Sequence, residues 1–311
     1  MNYSHIPVLA QECLRGLNLN PDGIYVDCTL GGAGHSRLIA DGLSEKGLLI
    51  GIDQDQDAID NAREALADVQ DRIQIVHSNF SRFDEILTEF GIDKVDGVLM
   101  DIGVSSHQFD EQERGFSYRM NAVLDMRMDR RSKLTAYELV NESSKEELED
   151  LFWRYGEEKW GRRIAEFIVK AREEEPVETT FDLVEIIDAA IPKKVRAEGS
   201  HPAKRVFQAL RIAVNAELDV LGATIPKIVE RLVPGGRIVI VTFHSLEDRI
   251  VKNTFRELST GCICPADFPI CICNHEKQLK IINNKPITAT EEELELNPRA
   301  KSAKLRIAER V

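Results

Sequence analysis

Asp27, the stretch Gly31-Gly32-Ala33-Gly34, Asp53 and Asp101 are the positions in this sequence whose types and spacing can do chemistry. Asp27 closes the β-branched and aromatic run Ile24-Tyr25-Val26, glycines follow, and a helical pattern opens at Ser36-Arg37-Leu38-Ile39. Glycine is needed where the backbone takes positive φ or lets a ligand approach closely. The helix N-terminus beyond it presents unpaired N–H groups to polar ligand atoms. Asp53 ends the next apolar run, Gly47-Leu-Leu-Ile-Gly-Ile, where a carboxylate can accept hydrogen bonds from two ribose hydroxyls. No Walker lysine is present, and Arg37 stands where a dinucleotide fingerprint has its third glycine. Asp27, ahead of the glycines, would repel a pyrophosphate and suits a cation. S-adenosylmethionine, carrying a sulfonium and an ammonium, fits these charges better than NAD.

The elements that must hold these residues follow a βα rhythm. A helix with Cys13, Leu14 and Leu17 leads into the first strand, and a helix over Asp57 to Leu66 follows Asp53. Arg72 to His77 reads as a third strand with Asn79-Phe80 at its carboxyl end, where an aromatic ring can pack on adenine. Val95 to Met100 is a fourth strand, ending at Asp101-Ile-Gly-Val-Ser-Ser. From Phe109 to about Pro202 the sequence reads as helices without strands, with a capping box at Ser143-Ser-Lys-Glu146 and a cap at Thr179-Thr180. The sheet pattern resumes near Arg205, with helices to Leu221 and Leu232, then Pro234-Gly235-Gly236 and the strand Arg237 to Phe243. Ile281-Ile282 and Ala303 to Ala308 read as paired edge strands. The expected domains are 1–108 with 206–311, and an inserted helical, substrate-recognition domain over 109–205.

With 311 residues, 43% of them hydrophobic, the chain can bury a substantial core. No run approaches a membrane span and the N-terminus lacks a signal pattern, so a soluble cytoplasmic protein is expected. The formal net charge of −13 argues against bulk nucleic-acid binding. Local basic clusters remain: Lys193, Lys194, Arg196, Lys204, Arg205 and Arg211 against Glu198; Arg127, Arg130, Arg131 and Lys133 around Asp129; and Asn297 to Arg306. Such clusters can follow a phosphate backbone.

Six cysteines, two of them isolated (Cys13 and Cys28), do not make a disulfide framework. Cys262-Ile-Cys264 and Cys271-Ile-Cys273, with His275 near, have the donors of a tetrathiolate zinc site. Each pair has one intervening residue rather than the commoner two, and no metal is assigned.

Taken together, the residues resemble the MraW/RsmH family of bacterial small-subunit ribosomal RNA methyltransferases, which act on the exocyclic N4 amine of a cytidine. The resemblance runs from His5-Ile-Pro-Val-Leu through Asp27-Cys-Thr-Leu-Gly-Gly-Ala-Gly-His-Ser, Asp101-Ile-Gly-Val-Ser-Ser-His-Gln, Glu113-Arg-Gly-Phe-Ser and Leu124-Asp-Met-Arg-Met-Asp. It continues through His201-Pro-Ala-Lys-Arg-Val-Phe-Gln-Ala-Leu-Arg-Ile, Phe243-His-Ser-Leu-Glu-Asp-Arg and Asn297-Pro-Arg-Ala-Lys-Ser-Ala-Lys-Leu-Arg, almost the whole chain. It implies an α/β fold, a class I S-adenosylmethionine-dependent (Rossmann-like) methyltransferase sheet with an inserted all-helical domain. It also implies cofactor contacts at Ala33, Gly34, His35, Asp53, Phe80, Asp101 and Gln108. The family's loop usually reads Gly-Arg-Gly-Gly-His-Ser, whereas Ala33 here stands where glycine is usual. Small-subunit ribosomal RNA or the small subunit is the implied partner, with a homodimer left open and no membrane.

A cytosine amine is a poor nucleophile, because its lone pair is conjugated into the ring. The site must align it with the sulfonium methyl and offer acceptors for its hydrogens. Asp101 is the expected catalytic residue. Ser105 and Ser106, with Lys204 and Arg205, are expected to meet the substrate. A nicotinamide dehydrogenase would share the glycine loop and Asp53, and a non-catalytic RNA-binding protein would not need the three aspartates. A DNA amino-methyltransferase would carry an Asp/Asn/Ser-Pro-Pro-aromatic tetrapeptide where Asp101-Ile-Gly-Val stands. The runner-up is a methyltransferase of the same fold acting on another nucleic-acid amine.

Overall fold

The computed structural model describes residues 7–196, 201–262, 264, 272–273 and 276–311. The chain forms two compact units, Met1–Gly103 with Leu218–Val311, and Val104–Glu217.

In the first unit α1 (Ala10–Leu17) leads into β1 (Ile24–Asp27), and α2 (Gly34–Gly42) follows the glycine loop. Then come β2 (Leu48–Asp53), α3 (Gln56–Ala65), β3 (Ile73–His77), α4 (Phe83–Glu89) and β4 (Val95–Asp101). After the second unit the chain returns with α12 (Glu217–Arg231), β5 (Leu232–Thr242), α13 (Ser245–Ser259), β6 (Leu279–Ile281), α14 (Glu291–Leu296) and β7 (Lys304–Arg310). The strand order is β3-β2-β1-β4-β5-β7-β6; β1 to β5 are parallel and β7 runs antiparallel to both neighbours. The parallel strands are nearly continuous apolar runs because both faces are covered. Successive residues feed opposite cores: Tyr25, Leu49, Leu99 and Val239 on one side, Val26, Ile50, Val98 and Ile238 on the other. The expected edge pair is present as β6 and β7. Pro234-Gly235-Gly236, expected ahead of the last parallel strand, lies inside β5.

The second unit contains α5 (Ser106–Asp110), α6 (Ala136–Glu142), α7 (Lys145–Gly156), α8 (Gly161–Arg172), α9 (Thr180–Ala190), α10 (Lys193–Arg196) and α11 (Ala203–Asn215). Leu148, Phe152, Ile164, Ile168, Leu183 and Ile187 fill its core. Val206, Phe207 and Leu210 join them, so α11 belongs with the helical unit rather than opening the return to the sheet at residue 206. An amphipathic stripe shows that a helix has a buried face and not which core receives it. The capping box also lies one residue on from expectation. Ser144 accepts from Glu147 N at 3.2 Å and Glu147 accepts from Ser144 N at 2.7 Å, while Ser143 ends α6. Thr179 caps α9 as expected. Cys271 and His275 lie outside the described residues. No helix among the described residues is long and apolar enough to cross a membrane.

Candidate active site

Three carboxylates stand at the carboxyl ends of β1, β2 and β4, where the strand order reverses and open α/β sheets take their ligands. Asp53 ties down the glycine loop: one oxygen accepts from Gly31 N and the other from Asp55 N, each at 2.9 Å. Gly31 has φ +46°, and a Cβ built there would meet nothing within 4 Å, leaving the loop open to a close ligand. Ala33, the N-cap of α2, is also left-handed with φ 63°, in the position where a family loop would have glycine. Gly34 opens α2 so tightly against Pro7 that a Cβ would meet its ring at 3.1 Å. In β2, Gly51 makes room for Leu30, which a Cβ would meet at 2.4 Å.

Asp27 is fully buried, and its role differs from that of a charge turned to a ligand. Oδ2 accepts from Ser36 Oγ at 2.6 Å and Oδ1 from Thr29 N at 3.0 Å. Thr29 Oγ1 in turn accepts from Asp101 N at 2.7 Å, so the β1 carboxylate braces the loop and the tip of β4. Burial raises Asp27 to about 6 against the pull of the Ser36 hydroxyl, and raises Asp53 to about 6 against its backbone donors.

Asp101 has only 17% of its side chain exposed. Its Oδ1 is buried with no hydrogen-bond partner, and Oδ2 lies 3.5 Å from His35 Nδ1. His35 Nε2 meets the Val8 carbonyl at 2.9 Å. A carbonyl can only accept, so the ring proton sits on Nε2 and Nδ1 presents a lone pair to Asp101. Burial lowers the His35 pKa. It raises Asp101 to about 7, with the charge of buried Glu247 adding to the effect. Glu247 caps α13, accepting from Phe243 N at 2.7 Å and His244 N at 3.1 Å.

Phe80 begins the single turn after Asn79 and is partly buried against the core of Ile50 and Phe83. Ala33, Gly34, His35, Asp53 and Asp101 thus stand at one edge of the sheet, with Phe80 beyond the end of β3. The remaining expected site residues lie in the helical unit. Ser105 caps α5, accepting from Gln108 N at 3.2 Å, and Gln108 Oε1 accepts from Ser105 N at 3.1 Å. Ser106 is the first residue of that helix. Lys204 and Arg205 are exposed at the start of α11, where Arg205 donates to the Glu157 carbonyl at 3.3 Å. The basic loop after residue 126 is largely self-neutralised: Arg127 pairs with Asp125 at 2.7 Å and Arg131 with Asp129 at 2.8 Å.

The sequence model of the MraW methylase family matches residues 2–311. The chain belongs to this family. It is 54% identical over 311 residues to the ribosomal RNA small subunit methyltransferase H of Clostridioides difficile, covering all of both chains. It is 56% identical to the protein of the same name from Clostridium botulinum, again over both full lengths. The counterpart from Brevibacillus brevis is 54% identical, over all of this chain and 99% of that one. As a MraW methylase the chain is a methyltransferase, and its methyl donor is S-adenosylmethionine. The unpartnered buried oxygen of Asp101, the open face over Gly31 and the acid of Asp53 at the adjoining strand tip suit a cation that carries a ribose. Thr29, Ser36 and Glu247 support this edge and escaped the sequence reading. Their only signal is a hydroxyl or carboxylate just past a strand end, which is common in loops.

Proposed function

We propose that this MraW methylase methylates the exocyclic N4 amine of a cytidine in small-subunit ribosomal RNA, with Asp101 as the catalytic residue. Bound S-adenosylmethionine supplies an electrophilic methyl group on a sulfonium. In the binding of that donor, Asp53 accepts from the ribose hydroxyls, and the backbone of Gly34 and His35 offers the N–H groups of the α2 terminus, set in direction by Ala33, whose own N–H donates to the Leu30 carbonyl at 2.6 Å. Phe80 gives its exposed edge to the adenine. Gln108 contributes from α5, where its oxygen accepts from Ser105 N in the cap.

The observation that carries the reading is Asp101 Oδ1, buried and without a partner at the carboxyl end of β4. An acceptor there can bond an amine hydrogen as the nitrogen becomes tetrahedral, stabilising the charge that develops on it. Asp101 then holds the departing proton, and the lone pair of His35 Nδ1, 3.5 Å from Oδ2, shares it. Positioning supplies the larger part of the acceleration, since proximity and orientation are worth roughly 7–11 kcal/mol.

The RNA is met by the helical unit, with Lys204 and Arg205 on phosphates and the α5 hydroxyls of Ser105 and Ser106 near the target nucleotide. Unmodified small-subunit RNA incubated with the protein and S-adenosylmethionine should gain N4-methylcytidine, detected by mass mapping, and Asp101→Ala should abolish the gain. A methyl group found on an adenine amine would overturn the cytidine assignment. Replacing both Lys204 and Arg205 by alanine should raise the apparent KM for RNA and flatten its salt dependence by about two counterions, leaving donor affinity unchanged. An unchanged salt slope would make these two residues structural.

A further inference from the structure

Three cysteines of the sheet unit stand apart from the active site in a setting unlike that of the other two described. Cys13 and Cys28 are buried, and burial pushes their thiols well up, the condition of inert core residues. Cys262 is exposed, and Cys264 and Cys273 are half-buried, although cysteine is among the residue types most often found inside. Their sulfur atoms converge nonetheless, all within 4.8 Å of one another. Cys262 Sγ and Cys273 Sγ are 3.8 Å apart. That is far outside the disulfide bond length of about 2.05 Å. It is the separation that two thiolates take at the corners of a tetrahedron whose centre lies about 2.3 Å from each, the zinc–sulfur distance.

We propose that Cys262, Cys264 and Cys273 bind a zinc ion. Binding replaces three S–H bonds by three S–Zn bonds, and the three protons pass to solvent. The backbone supports such a site: Ile272 N donates to Cys264 Sγ at 3.4 Å, the kind of N–H contact that steadies a bound thiolate. The surroundings give it a purpose. Gln278 N donates to Leu258 O at 2.8 Å, so the chain leaves α13 and re-enters β6 at nearly one point. The described residues between are exposed or half-buried, Ile272 at 68%, so an apolar core does not organise them. A metal that gathers three thiolates ties these described residues together without an apolar core. The ion is structural, since it holds the connection into an edge strand and not the tips of β1, β2 and β4.

The full chain, purified under reducing conditions without chelators, should carry about one zinc per molecule by plasma mass spectrometry. Its melting temperature should rise with free zinc. Chain stripped of metal and titrated with Co2+ should develop a thiolate-to-metal charge-transfer band that saturates at one equivalent. Cys262→Ser, Cys264→Ser and Cys273→Ser, all at positions outside the core, should each weaken the band and lower bound zinc while keeping the fold by circular dichroism. Less than a tenth of an equivalent of zinc together with no Co2+ band would overturn the proposal. So would a band unchanged in all three variants, or a Cys262–Cys273 disulfide in protein isolated anaerobically.

Discussion

At Asp101 the elevation of the pKa to about 7 has a direct kinetic consequence. Only the ionised carboxylate can take up the proton that leaves the amine. The kcat/KM for the donor, which reports the free enzyme, should therefore rise about tenfold per pH unit below 7 and level off above it. Asp101→Asn should lower kcat by roughly 100- to 10,000-fold and remove that limb, because the amide does not titrate. A limb at the same pH in the variant would assign it to another group. At Asp53 the prediction concerns binding: Asp53→Ala should weaken donor affinity by about 1.5–3 kcal/mol in calorimetry. Part of that loss comes from freeing Gly31 N, whose hydrogen bond to Asp53 fixes the loop. Unchanged affinity would remove Asp53 from the site. Both carboxylates were legible in the sequence because each closes an apolar run. The inward turn of Asp27 was not, since whether a strand-end acid faces ligand or loop depends on Thr29 and Ser36, which reach it only after folding.

Among the elements, the two adjoining serines before α7 offer a sharp test of capping. Ser144 supplies the side-chain oxygen, so Ser144→Ala should cost about 1 kcal/mol in thermal or urea unfolding. Ser143 contributes through its backbone, its carbonyl accepting from Arg172 Nη2 at 2.6 Å, and Ser143→Ala should stay within about 0.5 kcal/mol. Equal losses would contradict the observed register. The ambiguity is intrinsic to the sequence, in which Ser143 precedes Glu146 by the same spacing as Ser144 precedes Glu147. Strands were easier to read, as runs such as Leu48–Asp53 buried on both faces admit few alternatives. What escaped there was Gly51, whose missing side chain matters only because Leu30 comes to lie over it.

For the molecule as a whole, three buried acids set how stability responds to pH. Asp27 and Asp53 rise to about 6 and Asp101 to about 7, from an ordinary 3.8, chiefly through burial. Between about 4 and 7 the folded chain binds more protons at these groups than the unfolded one. Their contribution to stability should therefore fall as pH rises through that window and level off above 7. His35, lowered by burial, acts in the opposite sense below 6.5, one group against three. Urea midpoints measured across the range should show the fall, and it should shrink in Asp53→Asn and Asp101→Asn. A cationic donor lowers the same pKa values, so its binding near neutral pH should release protons, seen as a buffer-dependent calorimetric heat. The split of the sheet unit around Val104–Glu217 also matters while the protein is being made. β4 lies at the middle of the finished sheet, its Val98, Leu99 and Met100 fully covered. Its neighbour β5 begins only at Leu232, after the whole helical unit has emerged from the ribosome. Throughout that interval β4 is a bare apolar edge, and the nascent chain has to be shielded there until translation delivers its partner.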